Sequence, residues 1–257
     1  MSDPAPTVDV LRVVPSDIRL ALLRGWKDFR RAPLAGMGFA MVYVLGGWLV
    51  TWALTTAGQI WWTLPAAAGF PILGPFIACG FYEISRRLEQ GQPLTARGVL
   101  GVIFEQRDRQ IPSIAAVVVV FFLFWNFLAH MIFALFLGTS AMTNVSSSAA
   151  VFLTPQGLAM LATGTAVGAV FAGVLFSLTV VSLPLLLDRE VDFVTAMLTS
   201  LEVVQTSPAV MLGWGAMIAA ALFVGMLPGF LGLLVVLPVL GHASWHLYRA
   251  AVSWDGA

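Results

Sequence analysis

Long apolar runs constrain this chain more than any other feature, because a helix that crosses a bilayer needs about 20 mostly apolar residues. Six segments qualify: residues 33–57, 61–82, 112–137, 157–187, and two within 208–248. That last stretch is about twice one span long, and Pro228-Gly229 divides it. The fourth segment exceeds one crossing, so it is expected to tilt or to begin before the hydrocarbon. The chain is 59% hydrophobic and 10% charged, too few charges to cover a water-facing surface. A soluble globular domain and a disordered chain are therefore excluded. Net charge is +0, which leaves no basic field for a phosphate backbone, so the bilayer and not nucleic acid is the expected partner. One cysteine, Cys79, excludes a disulfide framework and a cysteine-based metal cluster within one chain.

Orientation follows from the cations. Arg12, Arg19, Arg24, Lys27, Arg30 and Arg31 precede the first span, and Arg86, Arg87, Arg97, Arg107 and Arg109 lie between the second and third. Arg189 lies between the fourth and fifth, and Arg249 follows the sixth. These are all 13 Lys and Arg residues. The three connections on the other side hold none. Lys/Arg bias in short loops sets topology, so both termini are expected in the cytoplasm, in an inner membrane. One integral membrane domain is expected over 1–257: an amphipathic segment 1–32, a six-helix region 33–248 and a cytoplasmic tail 249–257. The first 32 residues hold no apolar core, so the first span is expected to act as the insertion signal. On the opposite face, the loop around residues 138–156 is Ser/Thr-rich. Its Asn144-Val145-Ser146 matches a glycosylation acceptor pattern and reads as an ordinary polar loop. Trp61 and Trp62 fall where an interfacial aromatic belt is expected.

A threefold pattern runs through the chain. Each odd-numbered span begins at a proline (Pro33, Pro112, Pro208) preceded by an amphipathic stretch. The expected apolar stripes are Ile18, Leu22, Trp26 and Phe29, then Leu100, Ile103 and Phe104, then Val194, Met197, Leu198, Leu201 and Val204. Ala21, Leu100 and Ala196 stand twelve residues before the three prolines. Each even-numbered span carries a proline toward its cytoplasmic end (Pro75, Pro184, Pro238), and with Pro71 these are the expected helix bends. The expected fold is all-α: six transmembrane helices as three proline-bent hairpins, each preceded by a cytoplasmic amphipathic helix. Those helices would lie on the inner leaflet, their Arg and Lys meeting anionic head groups; a sharper reading makes them docking surfaces for a partner.

Few residues inside the spans carry chemistry. His130 lies one turn from Asn126, a pair expected to make interhelical hydrogen bonds more readily than a proton relay. His242 and His246 share a helix face at the spacing of two metal ligands, with Glu83 as the candidate third. His130 fails as a third ligand on depth. The expectation without metal is an interfacial ion-pair cluster in which Glu83 pairs with Arg249 or His246, and Asp188 with Arg86 or Arg189. Gly164 and Gly168 form a small-residue motif, extended by Ala172, that reads as packing within the chain. The prolines and glycines of the second span favour a transporter, whose broken helices line a cavity. The scarcity of intramembrane polar groups opposes it. No nucleotide-binding loop, nucleophile elbow, His-Glu-x-x-His motif or carboxylate pair near mid-membrane is present, so no enzyme, catalytic residue, cofactor or metal is expected.

Residues 22–29 (LLRGWKDF), 69–75 (GFPILGP) and 80–91 (GFYEISRRLEQG) resemble the bacterial integral membrane family known as domain of unknown function 2189, over most of the chain. The resemblance brings no catalytic residues, because that family has no established activity. Some of its members are labelled as cytochrome c oxidase components. The label implies an accessory or assembly protein rather than the haem–copper subunit, which needs more than the 3 histidines here. The expected role is an accessory, assembly or supernumerary subunit of a larger membrane complex, such as a respiratory oxidase. The alternative is a small permease or a lipid- or hydrophobic-solute-handling protein built on the second span.

Overall fold

The structure, a computed structural model, describes residues 8–56, 63–107, 109–138 and 152–254. Ten helices and one small ribbon make up the described residues. They are β1 (Val8–Val10), α1 (Pro15–Arg31), α2 (Pro33–Thr56), α3 (Thr63–Glu89), α4 (Ala96–Arg107) and α5 (Ile111–Leu137), then α6 (Pro155–Thr179), α7 (Ser182–Asp188), α8 (Phe193–Thr206), α9 (Pro208–Met226), α10 (Leu233–Ala251) and β2 (Val252–Trp254). Proline opens α1, α2, α6 and α9 and stands second in α5. There its missing N–H falls among donors that have no intrahelical acceptor. Among the described residues four stretches are long and apolar enough to cross a bilayer: Pro33–Ala53, Ile111–Leu137, Pro155–Asp188 and Pro208–Met226. The six expected spans are thus four by this measure. In α10 the second half carries His242, Ser244, His246, Tyr248 and Arg249, which dilute its hydropathy. The first ten residues of α3 have undescribed side chains, so Pro71 lies outside what the structure tests.

The packing is cyclic. Helices α3, α7 and α10 meet at the centre; α2 sits between α10 and α3, α5 between α3 and α6, and α9 against α10 and α6. Each amphipathic helix packs on the helices of the preceding unit: α4 on α3, α8 on α6 and α7, and α1 on α10. The last contact closes the circle. Leu11 N–H donates to the Ala251 carbonyl, a Cβ on Gly25 would lie 2.7 Å from Ala243 N and Val239 O, and one on Gly36 would lie 2.9 Å from Pro238. The chain from Leu11 to Gly36 therefore retraces α10 in reverse, at backbone contact where Gly25 crosses it. Strands β1 and β2 pair antiparallel, Val8 opposite Trp254 and Val10 opposite Val252. The ribbon is a small addition to an otherwise all-helical fold, and residues 249–254 finish α10 and form β2.

Burial is concentrated at the end of the bundle that carries the cations. Residues 82–85, 182–187 and 242–248 are buried almost without interruption. By contrast only 17% of the apolar window of α5, and 17% of that of α9, is covered by protein. Phe124, Phe127, Leu135, Phe223 and Leu227 face outward, an arrangement that water would penalise and hydrocarbon would not.

The amphipathic helices keep part of their expected stripes and turn part of them out. In α1 Phe29 is buried and Ile18 and Leu22 pack on the core, together with Ala21, Gly25 and Asp28, whereas Trp26 is exposed; α4 buries Val99 and Val102 and exposes Leu100 and Phe104; α8 buries Val204 with Ala196, Thr199, Ser200 and Val203, packs Met197 on the core, and exposes Val194 and Leu198. The side chain of Ile103, and residues Trp61, Trp62 and Asn144, lie outside the described residues. Between α6 and α7 the helix breaks at Val180–Val181, just ahead of Pro184. Ser200 of α8 accepts the Val181 N–H at 3.1 Å, so the expected bend at Pro184 is a break that a neighbour repairs. Pro238 sits inside α10, and Pro75 inside an unbroken α3.

Candidate functional site

The densest group of ionisable side chains lies where the second half of α10 meets α1, α3 and α7. Asp28 and His246 are both buried, and the His246 Nε2 stands 2.7 Å from Asp28 Oδ2. One turn away His242 has no solvent exposure. Its Nδ1 lies 3.0 Å from the Phe81 carbonyl and 2.9 Å from Ser85 Oγ. A carbonyl only accepts, so Nδ1 carries the proton and Nε2 is left as a bare acceptor. That Nε2 is buried with no hydrogen-bond partner.

The acids are each held by their own neighbours. Glu83 is 1% exposed and is gripped by Arg86 and Arg87, both at 2.7 Å. This replaces the expected pairing with Arg249 or His246: at positions i+3 and i+4 of the same helix, the two arginines reach the carboxylate first. Glu89 accepts from Trp245 Nε1 at 3.0 Å and lies 3.6 Å from Arg249. Asp188 accepts from Tyr248 Oη at 2.8 Å and lies 3.5 Å from Arg249 and 3.8 Å from Arg189. The expected Arg189 contact is thus present, at its longest distance, whereas Arg86 is committed to Glu83. Outside the spans Arg109 pairs with Glu190. Asp192 caps α8, and its carboxyl is held below the usual carboxylate range by the Thr195 hydroxyl and by backbone N–H groups.

Ser85 and His242 are both fully buried. Among the described residues no three His, Cys, Asp or Glu side chains gather as a metal site. Candidate ligands His242, His246 and Glu83 each face a different partner. His130 and Asn126 are turned to their own helix: His130 Nδ1 lies 2.7 Å from the Asn126 carbonyl, and Asn126 Nδ2 donates to the Phe122 carbonyl at 3.1 Å. Among the described residues the expected interhelical bonds are not formed, because a helical residue reaches the carbonyl one turn back at no cost to packing. The residue that sequence reasoning missed is Asp28. It reads as one more charge on an amphipathic helix, and only its place on the Gly25 side of α1 distinguishes it.

Two cavities among the described residues lie between the long helices. Between α5 and α6 runs an open apolar groove of about 730 Å³, lined by Phe121, Phe122, Trp125, Met160, Gly164 and Phe171 among others. A Cβ on Gly168 would meet Trp125 at 2.9 Å, whereas Gly164 faces nothing within 4 Å. The small-residue motif is therefore half filled from within the chain and half open. A second cavity, about 210 Å³, lies between α3, α6, α7 and α10 beside Tyr43, Tyr82, Thr179 and Ser244.

The fold and its outward apolar faces define a multi-pass, helical integral membrane protein. Residues 63–188 match the family described as "Predicted integral membrane protein (DUF2189)". The match takes in α3 to α7, just under half of the chain, and leaves the 22–29 segment outside. No curated protein and no solved structure matches the chain.

Proposed function

We propose that this protein is a six-span, non-catalytic subunit of a larger membrane complex, with three helical hairpins closed in a ring and both termini in the cytoplasm. Helices α3 and α10 are the second and sixth spans on this reading, and the cyclic packing supports it: each takes the place in its unit that α6 and α7 take in theirs. The placement of all 13 cations supports the orientation, in what we take to be a bacterial inner membrane. An alkaline phosphatase fused after Trp254 should be inactive; activity there would overturn the orientation.

The observation that carries the accessory role is the groove between α5 and α6. It is apolar, it opens to the lipid, and Gly164 forms a floor on which another helix backbone can approach closely. A respiratory oxidase is one such complex, on the label some relatives bear. Against the permease alternative stands the central cavity, which is small and lined mostly by apolar side chains. A photo-crosslinking residue at Leu161, on the groove wall, should yield a discrete adduct with one membrane protein in native membranes. Adducts with lipid alone would replace this reading by the lipid-handling one.

A further inference from the structure

Helix α1 has a second face. Its inner arc is occupied by α10, through Gly25, Ala21 and the Asp28–His246 contact. Its outer arc exposes Leu20, Leu23 and Trp26, interleaved with Arg19, Arg24, Lys27, Arg30 and Arg31. The two acids of the helix are spent internally: Asp28 on His246, and Asp17 on the Val14 N–H at 2.9 Å. Among the described residues none of these five cations has an ion-pair partner. An arc of large apolar side chains and unpaired cations suits neither a water-facing surface nor a protein core. It suits the level of lipid head groups, where apolar bodies enter the acyl boundary and cationic tips remain at the phosphates.

Register says which cations are placed to do this. Helix α2 enters the apolar region at Pro33, and the head-group zone is roughly 5–8 Å deep on each side of the hydrocarbon. At about 1.5 Å per residue, Arg31, Arg30 and Lys27 lie within roughly 9 Å of Pro33 along the helix, whereas Arg19 lies about 21 Å away. The other two amphipathic helices lack this character. Helix α8 exposes Val194 and Leu198 but holds no Lys or Arg, and α4 has Arg97 and Arg107 at its two ends.

We propose that Leu23, Trp26, Lys27, Arg30 and Arg31 form a binding surface for anionic phospholipid, fixed in place by the docking of α1 on α10. The test uses the full chain in vesicles of phosphatidylcholine with and without phosphatidylglycerol. A fluorophore on Leu23→Cys, in a Cys79→Ala background, is quenched by spin-labelled phosphatidylglycerol or spin-labelled phosphatidylcholine. Expected is a preference of about fivefold or more for the anionic lipid, by the gain one cation brings near an anionic surface. The preference should fall away in high salt and in Lys27→Gln/Arg30→Gln/Arg31→Gln, and persist in Arg19→Gln. Equal quenching by both lipids, or by neither, overturns the proposal. So does a label that lipid reaches in vesicles but not in native membranes, which would assign the surface to a protein. If the triple variant fails to fold, the unlabelled wild type decides by native mass spectrometry: it should retain phosphatidylglycerol over phosphatidylcholine, and retention of neither or of both equally refutes the idea.

Discussion

Replacing Gly25 by alanine sets two effects of opposite sign against each other. In an exposed helix Gly→Ala stabilises by about 1 kcal/mol, because alanine loses less backbone freedom on folding. At Gly25 the new methyl would sit 2.7 Å from both Ala243 N and Val239 O. These are backbone atoms of α10 and cannot rotate aside, so the helices must separate. Overpacking of this kind costs about 1–3 kcal/mol, and rigid neighbours place it near the upper end. The expected net is a loss of about 1–2 kcal/mol, which for a chain of this size is a fall of roughly 2–8 °C in the unfolding midpoint. Cys79 supplies the assay: it is the only cysteine and has no solvent exposure, so a thiol-reactive dye in detergent reports unfolding. Gly101→Ala in α4, where an added Cβ meets nothing within 4 Å, isolates the propensity gain and should melt at or above wild type. If Gly25→Ala melts as high as Gly101→Ala, α1 is not held against α10 by backbone contact and the closed ring is wrong.

Three further outcomes are expected. Asp28→Ala leaves a buried His246 without its partner and should destabilise by about 1–3 kcal/mol; adding His246→Phe should restore part of that loss in the same melting assay. Ser200→Ala strands the Val181 N–H at the α6–α7 break, for about 1–3 kcal/mol, and hydrogen exchange at Val181 should accelerate. Asp192 has a folded-state pKa below its unfolded value, so its contribution is present above pH ~4 and is lost as pH falls through the folded value. Between pH 5 and 3 the melting midpoint of wild type should therefore fall further than that of Asp192→Asn, and parallel curves would contradict this assignment.

Much of the fold was legible because hydrophobic length and charge placement act through the solvent and leave their record in one dimension. The starts of α2 and α9, that of α5 to within one residue, and the division at Pro228-Gly229 follow from proline chemistry alone. What escaped was the rotation of the amphipathic helices. Hydropathy puts Trp26 and Leu100 inward with their stripes, but α1 crosses α10 at Gly25 and turns Trp26 out while Phe29 stays buried, and in α4 Val99 and Val102 take the inner face that Leu100 was expected to share. The site escaped for a related reason. Nothing local marks Asp28 for His246, 218 residues later, or withholds Glu83 from α10 when Arg86 and Arg87 lie one turn away. Contacts closed by the chain's own return leave no periodic signal.

Because the first helix rests on the last, this protein cannot finish folding in the order in which it is made. At roughly 5–20 residues per second, the nascent α1 waits on the order of ten seconds or more for α10 to leave the ribosome. Through that interval Asp28 and the bare Gly25 groove stay open to solvent and chaperones. The β1–β2 ribbon can zip only after β2 has been synthesised: a product truncated before residue 252 would insert into the bilayer yet keep its ring unlatched. Quality-control proteases would meet such a chain at its N-terminal helix first, although the defect lies at the opposite end.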